Sequence, residues 1–571
     1  MSTASRVRSL FWLVLALTLL IPASASAGGK VTLCASDVQG LPGFPGLNLR
    51  DALIGGGTVT FDCPRGTTIE MSMTHVVARQ ALVDGGGSVA LRTNSVRAMF
   101  QVSGDLILRG LALNNRFVGL NDSLPHGIVV GPGVLGLENC QVRHSASTFA
   151  IDAIRVHQSV FEDNDTWALI TARVAIIYKS TFVRNDAMVL RSPRSPSPRG
   201  PTLAVVNFSN FSENLQAIWW VGELHVNDSS FADNDNGWRL GGAIRLQGPG
   251  TIAYTSFDRN RAANGGAIWV DDGALDLRRV QFHDNRAIKD GGAVGLAQGS
   301  VVSQYCTFAR NAASHGGAVK LGTQGVQIAL RGGANTFAQN EAIEGGAIHS
   351  EFGHIQLARV VFTGNTATSE GGAIFAARRG SPPGSAMLAN SLLVRNVAPD
   401  GAAVSGTAIV LINSTVADNG GGPALALKPL SHFSSPTARG EFDLRNTVIA
   451  NNSGGNCSMV PAHYDVKSNG RNLQFPGQSC GTAIAAANPL LDPFYVPSMG
   501  SPAFDGGDNA VCSDAPIFGK DVYGAGRPQG SACAIGAVEG DIDPRLFQRL
   551  LWRARDTMVH NYAALVDYLK K

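Results

Sequence analysis

The stretch Phe257-Asp-Arg-Asn-Arg-Ala-Ala-Asn-Gly-Gly-Ala-Ile-Trp-Val-Asp-Asp-Gly-Ala-Leu-Asp-Leu-Arg-Arg-Val-Gln-Phe282 begins and ends on the same signal. Phe257-x-x-Asn260 opens it, Gly265-Gly-Ala-Ile268 divides it, and Phe282-x-x-Asn285 starts the next copy. Between these marks, Ala274-Leu-Asp-Leu-Arg278 alternates apolar and polar residues with the period of a half-buried strand. Paired glycines exclude a helical solenoid, because each Gly costs a helix interior about 1 kcal/mol. A strand before each Phe, a strand after each Gly-Gly and short turns make one coil of a parallel β-helix.

Outward from this stretch the Phe-x-x-Asn motif recurs at Phe161, Phe182, Phe211, Phe231, Phe308, Phe337 and Phe362, and in apolar variants at Leu393, Val416 and Ile449. Gly-Gly-Ala-(Ile/Val) recurs from Gly241, Gly291, Gly316, Gly345 and Gly371, with Gly401-Ala-Ala-Val404 as a degenerate copy. The steps average about 26 residues, the spacing of a solenoid. The fold class expected is all-β, a right-handed parallel β-helix of roughly 15 coils with a C-terminal α-helix. Each Phe should point inward and stack on the next. Each Asn should take a left-handed turn and join an amide ladder, and Gly-Gly should permit positive φ at the opposite corner.

The chain has 571 residues, with 67 Gly, 44% hydrophobic and 16% charged residues. Residues 1–27 read as a signal peptide, with Arg6 and Arg8, an apolar run from Leu10 to Ile21 and the small-residue site Ala25-Ser26-Ala27. An N-terminal cap is expected over 28–65, the β-helix over 66–452, an irregular disulfide-bearing region over 453–540 and an amphipathic helix over 541–571. That helix has Asp543 as N-cap, Pro544 at its first position and an apolar stripe including Phe547, Leu550, Leu551, Met558 and Leu565. A formal charge of +3 gives no electrostatic case for nucleic-acid binding, and no transmembrane span is expected in the mature chain. Of the eight cysteines, Cys457–Cys480 and Cys512–Cys533 are the favoured disulfides in an exported chain, while Cys140 and Cys306 lie in strand-like segments and read as buried thiols.

The alternating Phe-x-x-Asn and Gly-Gly-Ala-Ile motifs resemble the repeats of chlamydial polymorphic outer-membrane proteins and related bacterial β-helix proteins. Asn488-Pro-Leu-Leu, Ser501-Pro-Ala-Phe-Asp-Gly-Gly, Gly526-Arg-Pro528 and Cys533-Ala-Ile-Gly-Ala-Val-Glu539 resemble the closing region called the choice-of-anchor Q domain. The first resemblance implies surface exposure. It would also imply a C-terminal membrane barrel, from which the helical pattern at this chain's end departs.

Catalysis on such a fold needs clustered carboxylates with a nearby base. The pair Asp271-Asp272 lies at a strand end, where neighbouring residues point to opposite faces. Asp233-Asn-Asp-Asn-Gly237 resembles the start of a Ca²⁺ loop, but position 12 would be Ile244, so it reads as a turn and no cofactor is expected. Aligning coils at Ala-Ile places Trp219, Arg245, Trp269, Lys320, His349 and Phe375 next in one outward row, with Asp271 and Glu351 two residues further on. Aromatic rings can stack on sugars and charged groups can bond their hydroxyls or carboxylates. The function expected is therefore a secreted or cell-surface protein binding glycans or surfaces without catalysis. The alternatives are a polysaccharide lyase or glycoside hydrolase using the same face, and a structural envelope protein. The loop Arg191–Pro201 reads as a flexible insertion.

Overall fold

The computed structural model describes residues 28–34, 47–93, 98–115, 127–146, 148–193, 201–322, 324–330, 335–350, 354–376, 385–428, 440–458, 464–468 and 470–540. The signal-peptide segment, the C-terminal helix, most of the 191–201 loop and Glu351 therefore lie outside the described residues. The fold is a parallel β-solenoid of about 14 turns. It divides into two compact units, Met1–Ile154 and Arg155–Lys571.

In the first unit, strand Gly57–Phe61 pairs in parallel with Ala81–Thr93, which pairs with Asp105–Asn115. A short helix, Leu49–Leu53, is capped by Asn48, whose Oδ1 accepts from Asp51 N at 2.9 Å. The disulfide Cys34–Cys63 ties this end together, a pairing that the sequence left open.

In the second unit a coil has three strands. One example is Ile268–Asp272, Ala274–Arg278 and Gln281–His283, each aligned with its counterpart in the next coil. The Phe column forms as expected. From Phe161 to Phe362 successive rings stack at 4.6 to 5.0 Å between centroids, with planes within 16°. All nine are fully buried, each worth about 1.5–3 kcal/mol of apolar burial.

The Asn ladder forms too, but by a different backbone. The left-handed residue is the one before each Asn, as at Arg259 (φ 53°), Asp284 (φ 57°) and Arg310 (φ 55°). The Asn itself is buried and bridges coils: Asn285 Nδ2 donates to Asn311 Oδ1 at 3.0 Å and to Phe257 O at 2.9 Å. The left-handed residue points to solvent, where Asp233–Arg259 and Asp284–Arg310 pair between coils. The two corner glycines also differ in role. Gly265 has φ +61°, whereas a Cβ on Gly266 would lie 2.1 Å from Gly292 O of the next coil.

A third column was missed in the sequence. Two residues before each Phe, Ser180 N donates to Ser209 Oγ, Ser209 N to Ser229 Oγ and Ser229 N to Thr255 Oγ1. Cys306 occupies this column, which explains a buried free thiol there. Burial pushes the Cys140 and Cys306 thiols up to about 11 and about 12, so neither is a nucleophile at neutral pH.

Strand pairing continues past Asn452 through Cys457–Ser458, Tyr464–Ser468 and Leu473–Phe475. The chain then folds back along the side of the later coils. Val522, Ala537 and Val538 pack on Val361, Leu392 and Val394, and Ala503 and Ile535 on Val448 and Leu473. The expected disulfides Cys457–Cys480 and Cys512–Cys533 are both present.

Candidate functional site

The residue after each Ala-Ile lies in register from coil to coil, as the alignment predicts. The row runs Arg191, Trp219, Arg245, Trp269, Gly295, Lys320, His349, Phe375 and Ser405. These side chains form the floor of a face of the second unit. A rim stands beside it, built by the residue before each Gly-Gly. Asn264, Asp290, His315, Glu344, Glu370 and Asp400 form a ladder of their own through short parallel strands and bridges. Four of these six are acidic, a pattern the sequence reading did not extract although the alignment at Gly-Gly contains it.

Rim and floor are knitted together over the later coils. His349 Nδ1 lies 2.9 Å from Lys320 Nζ, and its Nε2 lies 3.2 Å from Glu344 Oε2. Its ring stacks on Phe375 at 4.7 Å and lies 5.2 Å from His315, which bonds Asp290 at 3.0 Å. Lys428 Nζ bridges Glu370 at 3.0 Å and Asp400 at 2.5 Å, and Ser405 Oγ also donates to Glu370. Burial pulls the Lys428 ammonium down, but its bonds to Asp400 and Glu370 outweigh that and hold its pKa above the usual value. The expectation of a row exposed throughout is therefore corrected at this end: His349 is 0% exposed and Phe375 is 8% exposed.

The earlier coils are more open, yet two expected residues are otherwise engaged. Trp219 lies between guanidiniums, with Arg191 at 4.7 Å and Arg245 at 4.9 Å from its ring. Its faces are thus occupied by cations of neighbouring coils. Asp271 is held by Arg245 at 2.8 Å and 3.2 Å and by the Trp269 indole N–H at 3.0 Å. A register shift pairs Gln247 with Asp272, so Asp271 is free to turn toward Arg245. The Trp269 ring lies over Gly295, where a Cβ would meet Cε3 at 2.6 Å.

Two exposed aromatic residues of the same unit were not singled out by sequence reasoning. Trp238 is 81% exposed, and Trp167 is 52% exposed with the Arg239 guanidinium 5.2 Å from its ring. Trp238 could have been found from spacing: Asn234 to Gly241 is seven residues, against five from Asn260 to Gly265. The extra length is a loop that carries the Trp outward.

The Ca²⁺-like string is used otherwise. Asp233 pairs with Arg259, Asn234 sits in the Asn ladder, Asn236 donates to Leu240 O, and Asp235 accepts from Gly237 N. Among the described residues no group of three or more His, Cys, Asp or Glu side chains is placed to hold a metal ion. Among them, too, no helix is long and apolar enough to cross a membrane.

Compared with known families, residues 359–377 match the Chlamydia polymorphic membrane protein repeat. The matched segment contains Phe362-x-x-Asn365, the rim strand Thr366–Glu370, and Gly371-Gly-Ala-Ile374 at the start of a floor strand. No curated protein matches the chain.

Proposed function

We propose that this chain is an exported, surface-displayed β-helix that binds a glycan or glycan-covered surface at the aromatic end of the floor-and-rim face, without cleaving it. Export is supported by the N-terminal signal pattern and three disulfides, and surface display by the likeness to the polymorphic membrane protein repeat. The observation that carries ligand binding is the pair of exposed indoles Trp238 and Trp167, with Arg239 beside Trp167, in the unit whose floor row holds Trp269 and Arg245. Trp269 and Trp167 are held on strands and lose little entropy on binding, Trp238 is presented on its turn, and the arginines and Asp272 supply hydrogen bonds to sugar hydroxyls. The nearest carboxylate, Asp271, already satisfies Arg245 and Trp269, which suits a structural role better than acid–base work.

A lyase or hydrolase is the second reading, favoured by the Lys320–His349–Glu344 chain beside His315–Asp290. The complete burial of His349 supports the non-catalytic reading. Incubating the protein with neutral and acidic polysaccharides separates the two. Binding without new reducing or unsaturated ends supports adhesion. Release of such ends, abolished by Glu344→Gln, would establish the enzyme instead.

A further inference from the structure

In the first unit the strands Thr67–Glu70, Ala81–Thr93, Asp105–Asn115 and Gln141–Arg143 lie side by side in successive coils. Ile69, Leu91, Leu113 and Val142 are buried, so the residues on either side of them face outward. One outward row runs Thr68, Ala90, Ala112 and Gln141 in register. Its two central members are alanines, so the surface dips between the Thr68 and Gln141 side chains. The neighbouring row carries longer groups, with Arg92 beside Asn114 and then Arg143. The result is a groove of about 360 Å³, a size that suits a small ligand.

The lining suits an anion with hydroxyls around it. Among the described residues that line the groove none is acidic, whereas Arg92, Arg143 and His144 are basic. Arg92 donates to Glu70 from Nε, at 2.7 Å, and from Nη2, which fixes its guanidinium at one side of the groove. Arg143 is exposed, and its carbonyl accepts from Asn114 Nδ2 at 2.9 Å, which pins the backbone that carries it. Planar guanidiniums hold carboxylates by two-point contacts. Asn114 Oδ1 is shielded from bulk solvent yet accepts from no donor among the described residues. Such an acceptor is a place for a hydroxyl. Thr68 and Gln141 add a hydroxyl and an amide at the two ends of the row. The methyl groups of Ala90 and Ala112 between them offer an apolar floor to the C–H face of a ring.

We infer that this groove binds the carboxylate-bearing ring of an acidic sugar, with Arg143 meeting the carboxylate and the alanine floor taking the ring. That a sugar carries the carboxylate rests on the glycan reading above; the basic groove itself does not. Titration of the full chain with D-glucuronate and with D-glucose, followed by saturation-transfer NMR, tests this. The two sugars differ only in a carboxylate against a CH₂OH group. Saturable binding of glucuronate is expected, with glucose about tenfold weaker or more. Arg143→Gln should erase that preference. Ala112→Leu keeps every charge but fills the groove, and should abolish binding of both sugars. Both positions face outward, so melting temperatures should stay unchanged. Equal binding of the two sugars, or a preference that survives Arg143→Gln, would overturn the inference. Binding indifferent to Ala112→Leu would reduce the site to unspecific surface charge and overturn it as well. The readout does not pass through Trp238 or Trp269, so it stands or falls independently of the face on the second unit.

Discussion

Asn285 accepts from the backbone N–H and the side-chain amide of Asn260, and donates to Asn311 and Phe257. Its replacement by Ala would leave a buried N–H, an amide and a carbonyl without their partner. The expected loss is about 2–4 kcal/mol in urea unfolding, against less than about 1 kcal/mol for Arg259→Gln in the exposed pair with Asp233. The neighbouring residues Asp258 and His283 stand side by side in the next row. Burial pushes the Asp258 carboxyl up to about 6 and the His283 imidazole down to about 4. The folded state therefore resists protonating His283, and stability is lost as pH falls from 6.5 toward 4. Asp258 works in the opposite sense, because its folded form keeps a proton up to about 6, so stability is gained as pH falls through that range. With Asp258→Asn only the His283 slope remains, and with His283→Gln only the Asp258 slope. Unfolding free energies from urea curves should therefore move by about 2–3 kcal/mol in opposite directions in the two variants across pH 4–6.5, a divergence of roughly 5 kcal/mol. Parallel profiles would contradict the assignment.

Among the elements, the folded-back C-terminal segment depends on one buried ion. Arg527 donates to Ala534 O at 3.2 Å and Gly536 O at 2.7 Å, with Glu539 at 3.6 Å, and burial holds its guanidinium pKa below the usual value. Arg527→Met would strand Glu539 among backbone N–H donors that only partly compensate it. A loss of about 3–5 kcal/mol is expected, seen as early proteolytic release of residues 488–540 while the coils stay protected. Nothing in the sequence announced this packing. A coil repeats every 26 residues or so, and the Phe column, the Asn column and the floor row are legible because each copy restates the same contact. The contacts of Asn390 with Lys520 and of Arg359 with Val522 occur once, far apart in the chain, and leave no period to read. The rim was legible in principle, since Asp290, Glu344, Glu370 and Asp400 share one position before Gly-Gly or its degenerate copy.

For the whole molecule, the parallel solenoid was written in composition and period, and the two C-terminal disulfides were inferred correctly from their irregular setting. The face was legible as a row of residues but not as a surface. Sequence places Trp219, Asp271, His349 and Phe375 in line, but not the arginines around Trp219, the bonds that occupy Asp271, or the rim that buries His349 and Phe375. The proposed binding end consequently shifts toward Trp269 and the exposed Trp238 and Trp167. The measurement that tests this most directly is retention on immobilised neutral and acidic polysaccharides, with released sugar ends assayed in the same samples, for the native chain and Trp238→Ala. Because Trp238 is 81% exposed, its removal should leave folding intact. Retention of the native chain, weakened about tenfold by Trp238→Ala and with no sugar ends released, is the predicted result. Retention indifferent to Trp238, or release of sugar ends, would contradict it.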